Sequence, residues 1–130
     1  MKLNVDCVRD VMLELESFPI GTYHVKSFTK SINEYGFDTV QYTIIKLIEA
    51  DFINAGFVRT MDGVMHIGGI VDLSFKGHEF LETIREHRVW TKTKGIIGKV
   101  GSSGFGFISQ IASTYLTDIA NAYLKTKIPF

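Results

Sequence analysis

The feature that most constrains the fold is an Asp62-Gly63 pair between two stretches rich in β-branched and aromatic residues. The first stretch is FINAGFVRTM, residues 52–61, and the second is VMHIGGIVDL, residues 64–73. An Asp-Gly pair in this setting is a strong hairpin signal, because both residues accept the backbone angles of tight turns. The pair therefore predicts an antiparallel hairpin. Gly68 and Gly69 predict a bulge or a second turn in its returning strand.

Two amphipathic helices are predicted before the hairpin. In the first, which ends near Ser17, Val8, Met12 and Leu15 share one face behind a cap at Asn4 or Asp6. The second runs from about residue 38 to residue 51, with Asp38 as its cap. Its apolar stripe consists of Val40, Ile44, Leu47 and Ile48. Such a stripe is typical of a helix with one face in the core.

Shorter elements are predicted around these helices. The stretch TYHVKSF, residues 22–28, alternates as a short strand does. Residues 31–35 predict a short helix closed by Gly36. After the hairpin, Ser74 is expected to cap a helix that buries Phe80, Leu81 and Ile84 and that has His87 at its far end. Gly77 is expected to allow close packing where this helix begins.

A zinc motif is almost present in this last helix. The stretch HEFLE, residues 78–82, differs from the HExxH signature because Glu82 stands where the second histidine would be. A third ligand is also not evident from the sequence. We therefore expect an ordinary helix start here, without a metal ion.

The predicted order is helix, short strand, helix, helix, β-hairpin, helix. This order is that of an α+β winged helix-turn-helix, in which two helices set at an angle precede a hairpin wing. We expect a winged-helix domain over residues 1–90, a Gly-rich basic connector over residues 91–104 and a C-terminal helix within residues 105–130. Gly95, Gly98, Gly101 and Gly104 mark the connector. They do not form a phosphate-binding P-loop, because the GK[ST] ending is missing.

The C-terminal helix has a coiled-coil-like seam. The residues on it are Ile108, Ala112, Tyr115, Ile119 and Ala122. Their spacing of four and three residues allows two interpretations. The helix folds back on its own chain, or it forms a homodimer, as a symmetric DNA-binding protein would need. Insertion into a membrane is not expected, because polar residues interrupt any window of about twenty residues.

Charge and cysteine content narrow the function classes. Fourteen Lys and Arg balance fourteen Asp and Glu, but residues 1–51 carry five basic against eight acidic side chains. A basic cluster follows the hairpin: Arg85, Arg88, Lys92, Lys94 and Lys99. We expect an anionic partner to be met there.

Cys7, the single cysteine, excludes an intramolecular disulfide and is expected to be buried. Because residues 1–4 lead straight into charged residues without a secretory signal, we expect a cytoplasmic protein.

Three stretches carry a family resemblance. They are MKLNVDCVRDVMLELE at the start of the chain, YTIIKLIEADFI before the hairpin and LSFKGHEFLETIREHRVWTKTK after it. The chain resembles an uncharacterised family of small bacterial proteins, a domain of unknown function frequent in prophages and phages. The resemblance covers roughly residues 1 to 100. It implies a winged-helix fold and a bacterial or phage origin, and it supplies no catalytic residues. Asp51 stands where winged-helix repressors usually have a left-handed glycine, a conformation that Asp tolerates.

DNA binding is the first functional expectation, because the second helix of a helix-turn-helix enters the major groove. The candidate contact residues are Thr39, Gln41, Tyr42, Ile45 and Lys46 on that helix, with Lys30 and Arg59 outside it. Glutamine can pair with adenine, and isoleucine can touch a thymine methyl group. The same helix carries Asp38, Glu49 and Asp51 beside one lysine, and phosphate binding needs positive charge. The alternative is therefore a protein partner, which an exposed Tyr42–Ile45 pair would suit.

Catalysis is not expected. His78 and His87 are placed at opposite ends of one predicted helix, and Cys7 has no evident base beside it. The carboxylate pairs Glu14/Glu16 and Glu79/Glu82 are typical of solvated helix faces. We expect neither a catalytic residue nor a cofactor.

Overall fold

The computed structural model describes residues 1–101 and 104–127. Their elements are α1 (Val5–Ser17), a 3₁₀ helix (Val25–Ser27), α2 (Thr29–Tyr35), α3 (Phe37–Glu49), β1 (Ile53–Arg59), β2 (Met65–Leu73), α4 (Phe75–Ile84), α5 (His87–Val100) and α6 (Phe105–Lys127). The predicted α+β class is confirmed. The chain divides into two compact units, Met1–Leu81 and Glu82–Phe130, and the division falls inside α4.

The core of the first unit lies where α1 and α3 pack on each other and on the hairpin. The predicted stripe of α3 is buried, as are Cys7, Val11 and Met12 of α1. The Asn4 side chain accepts a hydrogen bond from the Cys7 N–H at 3.0 Å, which confirms the predicted cap of α1. Deleting most of a buried side chain such as Ile44 is expected to cost about 2–5 kcal/mol.

A buried carboxylate joins α1 to α2. Glu14 is only 8% exposed. Its carboxylate accepts hydrogen bonds from the backbone N–H groups of Lys30 at 3.1 Å and Ser31 at 2.9 Å, and from the Ser31 hydroxyl at 2.7 Å. Phe28, which precedes α2, has no polar side chain to cap that helix, so Glu14 caps it from another helix. The assignment of Glu14 to a solvated face is therefore wrong.

The prediction of a strand over residues 22–28 is wrong except at Tyr23, which forms a single β-bridge. Tyr23 forms a two-way bridge with Ile70, with N···O distances of 2.7 and 2.9 Å. The chain then turns into the 3₁₀ helix, because Val25 and Phe28 are both buried. Residues three apart lie on opposite faces of a strand but on the same face of a 3₁₀ helix. Burying both residues therefore requires the helical turn.

The predicted hairpin is confirmed as β1 paired antiparallel with β2, closed by residues 60–64 with Gly63 at φ 82°. The predicted bulge is also confirmed. Ala55 pairs with Ile70 and Phe57 pairs with Ile67, so one residue faces Gly68 and Gly69. The α3–β1 link takes the predicted left-handed turn at Asp51, whose φ is 64°.

The start of α4 also agrees with its sequence. The Ser74 hydroxyl accepts a hydrogen bond from the Gly77 N–H at 2.9 Å, so Ser74 caps the helix as predicted. A Cβ atom on Gly77 would lie 2.1 Å from the carbonyl oxygen of Phe52. This close approach requires glycine, as expected, and it lets α4 follow the hairpin directly.

The second unit is a pair of packed helices, α5 and α6. Val89, Trp90 and Thr93 of α5 are buried, as are Ile108 and Ala112 of α6. The predicted end of the helix after the hairpin is corrected here. The helix that starts at Phe75 ends at Ile84, because Glu86 is extended and caps a new helix through the Val89 N–H at 2.8 Å.

The connector predicted over residues 91–104 is likewise helical to Val100. The helix ends where Gly101, at φ 79°, donates its N–H to the Ile97 carbonyl at 2.8 Å. Residues 102–103 of that connector lie outside the described residues, as do residues 128–130 of the C-terminal region.

Candidate functional site

The first candidate site is the outward face of α3. The helix begins directly after Gly36, whose φ of 86° lets the chain reverse between α2 and α3 in one residue. A Cβ atom there would meet nothing within 4 Å among the described residues, so the backbone angle, rather than space, requires glycine. One side of α3 is fixed in the core, which leaves the opposite side available for contact.

The predicted contact residues of α3 share this available side. Gln41, Tyr42, Ile45 and Lys46 are all partly exposed, and so is Thr39 at its edge. Asp38 and Glu49 stand at the two ends of the same face and are exposed. The face is therefore chemically mixed, with an amide, an aromatic ring and a branched aliphatic group between two carboxylates.

This face carries one cation and two carboxylates, a formal balance of −1. The Lys46 Nζ lies 3.0 Å from the Glu49 Oε2 and 5.4 Å from the centroid of the Tyr42 ring. The hydrogen bond to Glu49, followed by the Glu49 charge, raises the pKa of Lys46. The lysine is thus charged but already paired, and a phosphate group would have to compete with Glu49 for it.

Lys30 and Arg59 lie on other elements. Lys30 is exposed on α2, beside a cleft of about 340 Å³ that it shares with Asp10, Glu14 and Glu34. Arg59 is exposed at the end of β1, next to the hairpin tip. The acidic lining of the cleft makes Lys30 a weaker phosphate contact than its sequence position indicated.

The second candidate site is α5, where Lys92 and Lys99 were predicted in the connector and Arg88 at the end of the winged-helix domain. Arg88, Lys92 and Lys99 are exposed on this helix at spacings of four and seven residues. Those spacings bring the three cations to one face. The same spacing was present in the sequence, but the glycines among these residues obscured the helix.

The seam predicted on α6 divides into two parts. Ile108 and Ala112 are buried in the second unit, where α6 packs on α5. Tyr115 and Ile119 are partly exposed, and Ala122 is exposed. These last three residues line a groove of about 250 Å³ with Arg88, Val89, Lys92 and Asp118. Two of the five seam residues are therefore buried within the chain.

His78 of the HEFLE stretch and Cys7 have defined surroundings in the structure. HEFLE lies inside α4, three residues after the helix begins rather than at its predicted start, and His78 Nδ1 is 3.8 Å from the Glu16 carboxylate. Among the residues that the structure describes, no group of three His, Cys, Asp or Glu side chains could hold a metal ion. Burial raises the pKa of the Cys7 thiol, which disfavours the reactive thiolate. No helix in the described ranges is both long and apolar enough to cross a membrane.

These features define a small α+β protein whose described residues form six α-helices, one 3₁₀ helix and a two-stranded hairpin. The chain belongs to the family described as "Hypothetical protein (DUF2513)", whose model matches residues 2–103. The resemblance to an uncharacterised family is thereby confirmed. The chain is also 32% identical over 124 residues to an "Uncharacterized protein" of Haemophilus influenzae, covering 92% of this chain and 98% of that protein. No solved structure matches the chain at a significant level.

Proposed function

We propose that this protein is a winged-helix protein that binds double-stranded DNA and acts as a transcriptional regulator of phage or prophage type in the bacterial cytoplasm. Support for the fold comes from the order of α1, α2, α3 and the hairpin within one unit. The turn of a helix-turn-helix often contains a glycine, as Gly36 is here, although the link between α2 and α3 is one residue rather than three or four. In this arrangement α3 is the recognition helix and the hairpin is the wing.

The observation that carries the proposal is the composition of the α3 face. Gln41 and Ile45 are one helical turn apart on a helix whose other side is fixed in the core. A glutamine amide can bond to the N6 and N7 atoms of adenine, and an isoleucine side chain can pack on a thymine methyl group. We therefore assign base contacts to Gln41 and Ile45, and a supporting role to Tyr42. Thr39, Lys46, Lys30 and Arg59 would contact the backbone.

In this proposal, the protein acts as a homodimer that forms through α6. Tyr115, Ile119 and Ala122 are the seam residues that are not buried within the second unit. A two-fold pair of these surfaces would give each duplex two recognition helices.

DNA binding is tested by fluorescence anisotropy with a random-sequence duplex and then with a sequence selected from a random pool. Gln41→Ala is expected to weaken binding to the selected sequence about 5- to 150-fold, the value of one good bidentate contact of roughly 1–3 kcal/mol. Binding to random DNA should change little, because the lost contact is to a base. Gln110→Ala, the same change at an exposed site on α6, is the matched control. Equal losses from both variants would refute α3 as the reader.

A protein partner is the second candidate, and the charge of the first unit favours it. Residues Met1–Leu81 include seven Lys and Arg against eleven Asp and Glu, a formal balance of −4. With Lys46 paired to Glu49, the α3 face offers mainly Tyr42 and Ile45 as contacts. Aromatic side chains at partly exposed positions are frequent anchors in protein interfaces. This second function would be supported by two results together. The protein does not bind duplex DNA even at low salt, and it binds a protein partner whose binding is lost specifically in the Ile45→Asp variant.

A further inference from the structure

The charges of the chain are divided between its two units. Residues Glu82–Phe130 carry seven Lys and Arg against three Asp and Glu, a formal balance of +4. Three of these cations lie on one exposed face of α5: Arg88, Lys92 and Lys99. At a rise of 1.5 Å per residue the three positions span about 16 Å along the helix. The positive charge of the protein is therefore concentrated outside the unit that contains α3.

Among the residues that the structure describes, the carboxylates of Glu86 and Asp118 lie near this face. Glu86 Oε1 is 3.0 Å from the Arg88 Nε, while its Oε2 accepts the Val89 N–H that caps α5. The Arg88 side chain nevertheless remains 71% exposed. Asp118 lines the groove beside Arg88 and Lys92. Two acidic groups against three cations leave a net positive surface.

Aromatic rings lie beside two lysines of α5. The Lys92 Nζ lies 5.5 Å from the centroid of the Tyr115 ring, which orients this side chain without neutralising it. Lys94 is only partly exposed and lies over the Trp90 ring at 5.8 Å. These aromatic rings leave the charges of Lys92 and Lys94 unchanged, whereas Arg88 has a carboxylate at 3.0 Å, as Lys46 has on α3.

Glycines occupy the same exposed side of α5. Gly95 lies between Lys92 and Lys99 on the cationic face, and Gly98 lies at its edge. Glycine is among the poorest helix formers, so its presence inside an exposed helix calls for a reason. A Cβ atom at either position would meet nothing within 4 Å among the described residues, so packing within the chain does not require glycine. The glycines instead leave a smooth surface that a bulky partner could approach closely.

We infer that the exposed face of α5 binds the sugar–phosphate backbone of duplex DNA independently of sequence. Three cations over about 16 Å match a ligand that presents one negative charge about every 1.7 Å along its axis. The glycines admit that backbone between the lysines. The choice of DNA as the polyanion rests on the proposed function. The assignment of further phosphate contacts to α5, beyond those proposed for the first unit, is the new element.

The test compares two triple variants of equal net charge in the full-length protein. The first is Arg88→Gln, Lys92→Gln and Lys99→Gln, and the control is Lys2→Gln, Lys76→Gln and Lys125→Gln. Binding to a fluorescein-labelled random-sequence duplex is measured across a NaCl series. Each phosphate contact contributes about 0.9 to the slope of log K against log salt, so the α5 variant should lose about 2.7 from that slope. The control should keep the wild-type slope.

A second variant, Gly95→Gln, guards against a loss of folding. It is expected to raise the melting temperature, since glutamine is a better helix former, while it weakens DNA binding by blocking the approach. Stabilisation with unchanged affinity would overturn the role of the glycines in binding.

The outcomes separate this inference from the proposed function. If the duplex is bound and the α5 variant keeps the full slope, the inference is wrong while DNA binding stands. If the α5 variant loses the slope but Gln41→Ala leaves selected-sequence binding unchanged, the inference holds and α3 is not the reader. If phosphatidylglycerol vesicles are bound through α5 and duplex DNA is not, both proposals are overturned.

Discussion

Replacing Glu14 with alanine should destabilise the first unit, because this side chain provides a structural cap across two helices. The substitution removes the acceptor for the N–H groups of Lys30 and Ser31 and for the Ser31 hydroxyl. It also leaves a small cavity at a site where Glu14 is 8% exposed. The start of α2 then has no side-chain partner, since Phe28 cannot supply one.

The expected cost follows from the lost bonds. Loss of an N-cap alone costs about 1 kcal/mol, and a hydrogen bond to a charged group contributes about 1.5–3 kcal/mol. Water can reach part of the cleft beside Glu14 and will replace some of these bonds. We therefore expect a total cost of about 2–4 kcal/mol. For a domain of this size, that corresponds to a fall in Tm of roughly 8–16 °C.

The measurement is urea unfolding followed by circular dichroism. Glu16→Ala is the matched control, since Glu16 lies on the same helix with its side chain 31% exposed. It should cost less than about 1 kcal/mol. A double-mutant cycle with Ser31→Ala should give a coupling of about 1–2 kcal/mol between the two side chains. If Glu14→Ala costs no more than Glu16→Ala, the carboxylate does not cap α2.

Three other predictions follow from burial and close packing. Gly77→Ala should lower the free energy of unfolding by about 3 kcal/mol in chemical denaturation, because its Cβ would lie 2.1 Å from the Phe52 carbonyl oxygen. Gly106→Ala is the control and should not destabilise the protein, because a Cβ there meets nothing within 4 Å among the described residues. Cys7 should react with Ellman's reagent only after unfolding, because it is buried and its thiol pKa is raised by burial; rapid reaction of the native protein would contradict this. Burial, and then the hydrogen bond to Asp10, raises the pKa of Tyr35 above its usual 10.0. Stability should therefore be unaffected below about pH 10 and fall as the pH rises further, because the unfolded chain loses the proton first. Tyr35→Phe should flatten that fall in urea midpoints measured between about pH 9 and pH 11.

Elements with strong local signals could be predicted from the sequence. The hairpin followed from its Asp-Gly pair, and α1, α3 and α6 followed from their apolar periodicity. The left-handed turn at Asp51 was also predictable, because the chain must reverse between α3 and β1. In each case the deciding residues lie within one or two turns of one another.

Elements that depend on competing or distant signals could not be predicted. The seven residues from Thr22 to Phe28 are too few to distinguish a period of two from a period of three, so the 3₁₀ helix was missed. In α5, the low helix propensity of Gly95 and Gly98 hid a helix that is fixed by the burial of Trp90. Tertiary packing overrides propensity in such a case.

The candidate site was predictable in part. The outward position of Gln41, Tyr42, Ile45 and Lys46 follows from the helical period. The pairing of Lys46 with Glu49 was predictable from their spacing of three residues, which makes them neighbours on a helix. The capping role of Glu14 could not be predicted, since its partners lie 16 and 17 residues away in sequence.

The separation of charge between the two units affects how copies of the protein behave toward one another. The formal net charge is zero and the pI is about 6.9, yet one unit carries −4 and the other +4. Near neutral pH, net repulsion between copies is therefore absent, while the acidic unit of one copy attracts the basic unit of another. This attraction is screened over about 8 Å at physiological ionic strength and reaches about 30 Å at 0.01 M. The protein should consequently associate and lose solubility in low-salt buffers, and it should be retained by both cation- and anion-exchange resins.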